Sequence, residues 1–466
     1  MLEHLEQQKS LTTNQWKIFA AATIGDMLDF FDFFLIGFVL AFIIGGWNLT
    51  YGQSGAILLS SGIAAPLGSL FWGWMAERIG RRKVMILTVL NFSIPTGLMA
   101  LTPEQGWLFL SICRFFVGLG VTGLYTVDVL VVQEFVPATK RGRITGLTTV
   151  LLPAGTILGA LSGAYLEQHI GWRGMFLIGL LPAGLTLLIR AWVPESPHWL
   201  VGKGRFDEAR RSLAWALQMD PARIELPPPA PPPEPVAWVE LFKYPRSLAV
   251  SCLTGLSQTA GVGITLWVTT LFVLVLKISP AEASYLVIWV GVAGIVGRLF
   301  SAWASDAMGR RASIVLTCTL GAVGCSLAGY LSGLYIGAVS LFFLMIVVQS
   351  FFGSGAYAII GPYMAEVWPS KLRASGMGLG YGVGNLGKFI GPAGVAVIAG
   401  SSNMISPKAT IDALIPAMNY FAFWYVLAAA AAWFLGFETR GRTIQEIDGD
   451  LRGSLRVNLT TSRRPG

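Results

Sequence analysis

The chain has 466 residues, 54% of them hydrophobic and 12% charged, a net charge of +8, a mean hydropathy of +0.63 and a pI near 9.4. An ordinary soluble domain carries about 25% charged residues, so this composition excludes a soluble globular protein and describes an integral membrane protein. The positive balance therefore reads as basic loops on one side of a bilayer and not as nucleic-acid binding.

The first apolar segment, residues 16–44, is long enough to span a bilayer, yet it holds Asp26, Asp29 and Asp32. A charge at the bilayer centre costs at least about 2.5–3.5 kcal/mol. On a helix, each of these acids lies about 60° back from the last. The three spread over one side, which must face protein or water. They are expected to line a transport path and to carry a proton. Eleven further spans follow at 54–76, 84–101, 107–136, 143–166, 172–193, 247–274, 281–305, 312–333, 335–366, 373–399 and 414–437, with boundaries good to a few residues.

Loop charges set the orientation. Arg78, Arg81, Arg82 and Lys83, then Lys140, Arg141 and Arg143, Lys203 and Arg205, Arg310 and Arg311, Lys371 and Arg373, Arg440 and Arg442 all fall on one side. Both termini are expected to be cytoplasmic. Residues 195–246 form the long soluble connection. Phe206, Ala209, Leu213 and Leu217 make a helical stripe opposite Arg210 and Arg211, and Pro227–Pro235 reads as a polyproline spacer. The four cysteines lie inside apolar segments and read as small core residues. No nucleophile–base pair or metal cluster falls within a span, so neither an enzyme, a cofactor nor a metal is expected.

The two halves repeat. Glu77-Arg78-Ile79-Gly80-Arg81-Arg82 returns as Asp306-Ala307-Met308-Gly309-Arg310-Arg311. Glu134-Phe135-Val136-Pro137 with Arg141 returns as Glu366-Val367-Trp368-Pro369 with Arg373. Glu195-Ser196 returns as Glu438-Thr439. The expected organisation is an all-α membrane protein of twelve helices in two pseudosymmetric six-helix bundles. They comprise residues 1–194 and 247–440, joined by the linker 195–246 and followed by a tail, 441–466.

These motifs resemble the major facilitator superfamily. Gly73-Trp74-Met75-Ala76-Glu77-Arg78-Ile79-Gly80-Arg81-Arg82-Lys83 is similar to its loop between helices two and three, with Glu where Asp is usual. Pro194-Glu195-Ser196-Pro197-His198-Trp199-Leu200 resembles the segment after helix six in sugar porters. Asp29-Phe30-Phe31-Asp32 resembles the D-x-x-D of helix one in aromatic acid:proton symporters and niacin transporters. Asn385 departs from that branch, where Arg is frequent.

The resemblance implies roles. Asp32 and Arg114 fall at comparable depth and are the natural ion pair of a proton switch, with Asp26, Asp29 and Asp128 as further proton-coupling candidates. Substrate-binding candidates are Gln258, Trp267, Tyr357, Tyr381, Asn385 and Lys388, near the midplane between the halves. Lys388 would meet an anion, and the aromatic rings are candidates to stack on a ligand ring. The cytoplasmic gate is expected from Glu77 with Arg81, Asp306 with Arg310, Glu134 with Arg143 and Glu366 with Arg373, joined by Arg78, Arg82, Arg298 and Arg311. The function implied is proton-coupled import of a small organic anion, an aromatic or heteroaromatic carboxylate, in a bacterial cytoplasmic membrane. The alternative is a symporter for a sugar, polyol or sialic acid. The expected partners are the substrate, protons and the lipid bilayer, with no nucleic acid, and the expected state is a monomer.

Overall fold

The computed structural model of the chain describes residues 5, 8, 10–224, 238–369, 372–440 and 446, and only the backbone at 125, 126, 129, 138, 139, 141–143, 145, 146, 374, 407 and 409. The spacer Pro227–Pro235 and the tail from 441, save residue 446, lie outside the described residues.

The first span is α1, Thr13–Trp47. A reciprocal capping box starts it: the Thr12 side chain accepts from the Gln15 amide, and the Gln15 side chain accepts from the Thr12 amide. Asn48 closes it in the left-handed region. Apolar on nearly every side, α1 is buried by its neighbours. Next come α2 (Tyr51–Ile79), α3 (Arg81–Met99) and α4 (Trp107–Phe135). The fifth span is broken into α5 (Ala138–Leu151), α6 (Pro153–Leu161) and a π turn at Ser162–Leu166, because Pro153 interrupts the hydrogen-bond ladder. Gly171, at φ 65°, turns the chain within α7 (Glu167–Ile178), and α8 (Leu185–Trp192) completes the sixth span.

The connection begins with α9 (Pro197–Gly202) and α10 (Phe206–Leu217). The expected stripe is the packed face: Ala209, Leu213 and Leu217 are buried. Thr12 Oγ1 donates to the Ala216 carbonyl, and Ser212 Oγ donates to the Glu195 carbonyl at 2.6 Å, so this helix is fastened to the start of α1 and the end of the sixth span.

The repeat resumes with α11 (Pro245–Val262), a 3-10 turn and α12 (Val268–Leu276), then α13 (Pro280–Met308) and α14 (Arg310–Tyr330). Residues 335–340 do not join the tenth span. They form a hairpin, β1 (Tyr335–Ile336) and β2 (Val339–Ser340), turned at Gly337 with φ 61°. The span proper is α15 (Leu341–Glu366). The eleventh breaks at Leu386 into α16 (Arg373–Asn385) and α17 (Gly387–Ile398), and the twelfth, α18 (Pro407–Ala430), starts seven residues early for the expected 414.

Nine of the described helical stretches are long and apolar enough to cross a membrane, and the chain is a multi-pass membrane protein with twelve spans. Inside lipid, helix association rests on close packing. A Cβ at Gly155 would sit 2.1 Å from the Met27 carbonyl oxygen, and one at Gly297 would sit 1.9 Å from that of Phe351. Only glycine permits either crossing. The described residues divide into two compact units, one within Met1–Leu49, Ala56–Pro233 and Ile278–Ile288, the other within Thr50–Gly55, Glu234–Lys277 and Trp289–Gly466.

Candidate functional site

All three acids of α1 are buried: Asp26 is 1% exposed, Asp29 2% and Asp32 0%. Asp32 leaves α1 toward α3, where its Oδ2 accepts from Thr96 Oγ1 at 2.7 Å. Its Oδ1 faces Gly179 and accepts no hydrogen bond among the described residues.

Arg114 on α4 is fully buried. Its Nη1 donates to the Asp32 carbonyl at 3.1 Å, and its Nη2 donates to the Phe33 carbonyl and to Ser61 Oγ, both at 2.9 Å. The expected carboxylate–guanidinium bond is therefore replaced. Asp32 points to α3, so Arg114 meets the backbone of α1 and spends its planar fork on two consecutive carbonyls. The carboxylate and guanidinium remain within electrostatic reach of each other.

A second acidic cluster joins α1 to α4. Asp128 on α4 is 1% exposed. Its Oδ2 stands 3.1 Å from where a Cβ on Gly25 would lie, and neither of its oxygens has a hydrogen-bond partner among the described residues.

In the second unit, Gln258 on α11 is buried, and its Nε2 donates to the Gly353 carbonyl at 2.6 Å while its Oε1 has no partner among the described residues. Asn385 is buried at the end of α16. Lys388, just past the break at Leu386, is half-buried at the start of α17, as is Tyr381 on α16. Trp267 is 1% exposed; its ring centroid is 6.1 Å from that of Tyr51 and its Nε1 donates to the Pro392 carbonyl at 3.4 Å. Arg298, grouped with the gate and lying within the expected span 281–305, is buried within α13 with its guanidinium 5.1 Å from the Tyr357 ring.

The loop motifs build one device twice. Gly80 (φ 104°) precedes α3 and Gly309 (φ 97°) precedes α14. Neither offers a capping side chain. Glu195 supplies the cap for α3 from a distance: its Oε1 accepts from the amides of Arg81 at 2.7 Å, Arg82 at 3.2 Å and its neighbour Ser196 at 3.0 Å. Glu438 does the same for α14, accepting from the amides of Arg310 at 2.8 Å and Arg311 at 3.2 Å. A Cβ at Gly80 or Gly309 would stand 2.3 or 2.4 Å from the capping carboxylate. A carboxylate at a helix N-terminus complements both the amides and the dipole. The sequence shows Glu195 and Glu438 only as repeats; the signal for their capping role is a helix start with glycine where a capping side chain is usual.

The ion pairs differ from those expected. Arg81 Nε lies 3.7 Å from Glu134, and Arg310 Nε lies 3.7 Å from Glu366. The expected Asp306–Arg310 pair is present at 2.7 Å. Glu77 makes no ion pair among the described residues, because Arg81 Nη1 turns to the Ala76 carbonyl at 2.7 Å. Glu366 also accepts from Thr439 Oγ1 at 2.5 Å, which leaves Arg373 outside the pair. The Arg143 side chain lies outside the described residues. Arg78 packs over Trp74 at 4.0 Å, while Arg82 and Arg311 donate to the carbonyls of Arg190 and Trp433. Among the described residues no group of His, Cys, Asp and Glu is placed to hold a metal.

The family described as "Sugar (and other) transporter" matches residues 17–451. The chain is 30% identical over 436 residues to the niacin transporter NiaP of Acinetobacter baylyi, covering 91% of this chain and 94% of that protein. It is 25% identical over 403 residues to the cis,cis-muconate transport protein of the same organism, covering 85% and 91%. Among solved structures, the xylose transporter XylE from E. coli in a partially occluded inward open conformation superposes with a TM-score of 0.71 at 18% identity, covering 93% of this chain and 100% of that one.

Proposed function

The chain belongs to the sugar (and other) transporter family of the major facilitator superfamily, and from that premise we propose that it is a proton-coupled symporter importing a small organic anion, an aromatic or heteroaromatic carboxylate, by alternating access. The observation that carries the proton is the burial of Asp32 on α1, with one oxygen on Thr96 and Arg114 gripping the backbone beside it. A carboxyl held this way takes or releases a proton without leaving its place, and each exchange changes the field at Arg114 and along α1. Asp26, Asp29 and Asp128 offer a second stopping point for the proton. The anion is supported by Lys388, and by relatives whose names specify niacin and muconate.

The loop clusters suit alternation. Arg81–Glu134 and Arg310–Glu366 are partly solvated pairs at 3.7 Å. Such pairs contribute about 0–1 kcal/mol, small enough to break and reform in every cycle. The proposed setting is a bacterial cytoplasmic membrane, with both termini cytoplasmic and a single chain as the working unit.

A second reading, transport of a sugar, polyol or sialic acid, draws on the unpartnered Oε1 of buried Gln258, an acceptor suited to a hydroxyl. Uptake into proteoliposomes of labelled benzoates, nicotinate, hexoses and sialic acid, with and without an imposed proton gradient, separates the two. Gradient-dependent uptake of the carboxylates alone is expected; hexose uptake in their place overturns the anion assignment.

A further inference from the structure

We propose that a basic cleft in the first unit binds the phosphate of an anionic phospholipid. The cleft, about 410 Å³, opens where α2 ends, α3 begins and α8 ends, beside α9 and the start of α10. Arg82, Lys83, Arg190 and Arg205 stand around it, with Glu195 and Glu208.

The acids are already engaged. Glu195 accepts from the amides of Arg81, Arg82 and Ser196. Glu208 is held by Arg205 through two bonds of 2.7 and 2.5 Å, so Arg82, Lys83 and Arg190 face only Glu195 and the cleft stays net positive. Arg82 donates to the Arg190 carbonyl. The Lys83 ammonium and the Arg190 guanidinium have no partner among the described residues, and both side chains are exposed. Two exposed cations with no ion-pair partner, in a cleft where cations outnumber acids, make an anion site.

The cleft's surroundings select a lipid over a soluble anion. Its floor is Ile79 and Ile86. One turn beyond Lys83, α3 exposes Leu87, and the row continues through Ile94 and Leu98. One turn before Arg190, α8 exposes Leu187. The α3 row and Leu187 belong to spanning helices and lie next to the two cations. Trp199 stands at the rim, as tryptophan does at a bilayer interface. Acyl chains along the α3 row and Leu187 would bring a phosphodiester between Lys83 and Arg190. A soluble phosphate would leave the row, Leu187 and the isoleucine floor unused.

The test uses the purified full-length chain in detergent, with lipid retention read by native mass spectrometry. The probes are dioleoyl phosphatidylglycerol, dioleoyl phosphatidylcholine and soluble sn-glycerol 3-phosphate. Wild type is expected to retain phosphatidylglycerol in preference to phosphatidylcholine. The double variant Lys83→Gln/Arg190→Gln should weaken that retention by about 30-fold, near fivefold for each cation. Arg223→Gln, an exposed basic change outside the cleft's lining, should match wild type. Thermal unfolding in phosphatidylcholine alone checks that the double variant is folded. If it is not, the exposed single change Lys83→Gln should still lose about fivefold. Unchanged phosphatidylglycerol retention in the variants, or equal retention of phosphatidylcholine, overturns the proposal. Displacement of phosphatidylglycerol by equimolar glycerol phosphate overturns the lipid and makes this a site for soluble phosphate.

Discussion

The guanidinium of Arg114 holds the main-chain carbonyl of Asp32 at 3.1 Å and leaves that residue's carboxylate to Thr96. The two functions of an ion pair are thereby separated. The arginine fixes the helix, and the carboxyl is left able to change charge without releasing the anchor.

Replacing Asp32 with Asn keeps the contact to Thr96 and the size of the side chain but removes proton exchange. Gradient-driven accumulation should be lost, while exchange of labelled for unlabelled substrate across loaded vesicles should persist, because it moves no net proton. Accumulation at the wild-type level in Asp32→Asn vesicles would take Asp32 out of coupling.

The carboxylate caps predict paired losses of stability. Glu195→Ala strips the acceptor from three amides and Glu438→Ala from the amides of Arg310, Arg311, Thr439 and Arg440. Each should destabilise the folded protein by about 1–2 kcal/mol, the scale of a lost N-cap, read as lowered thermal unfolding in detergent. Glutamine at either place retains an acceptor and should recover most of the loss. If alanine and wild type unfold at the same temperature, the amides are satisfied by water and the caps are incidental.

Arg81→Ala and Arg310→Ala remove the ties to Glu134 and Glu366. If these ties govern alternation, turnover should fall about fivefold, the effect of roughly 1 kcal/mol on a barrier. Equilibrium binding, followed by scintillation proximity, should stay within error of wild type. A large fall in affinity with normal turnover would assign these arginines to the substrate instead.

Lys388 tests the substrate class. It lies half-buried just past the break at Leu386, and α16 and α17 carry no acid of their own. With a carboxylate ligand, Lys388→Ala should cost about 2 kcal/mol of binding, roughly thirtyfold. Lys388→Arg should fail to restore it, since a planar fork needs a different approach. The carboxamide analogue should bind wild type poorly and change little on mutation. Equal affinity for the carboxylate in wild type and Lys388→Ala would favour the neutral-substrate reading.

The spans were legible because lipid forces long apolar segments, and the duplication was legible because the loop motifs recur at a steady interval. Side-chain partners were less so. Glu77 and Arg373 sit at the spacing of ion pairs, yet Arg81 found Glu134 and Glu366 found Arg310. Separation along the chain says nothing of which neighbouring helix end is nearer. Arg298 fell inside a span by sequence, but its packing against Tyr357 depends on how α13 packs on α15. Residues 335–340 were apolar enough to extend a helix, but Gly337 at φ 61° turns them into a hairpin.

The twin glycine–glutamate nests have an experimental consequence. Gly80 with Glu195 and Gly309 with Glu438 are one construction copied into two sequence contexts, so every substitution in one copy comes with a matched control in the other. Apart from the Arg440 amide that only Glu438 holds, the bonds being cut correspond one for one, so any further difference between the members of such a twin experiment does not come from them. It measures how unequally the two copies are loaded during turnover, a quantity no single-site variant reports.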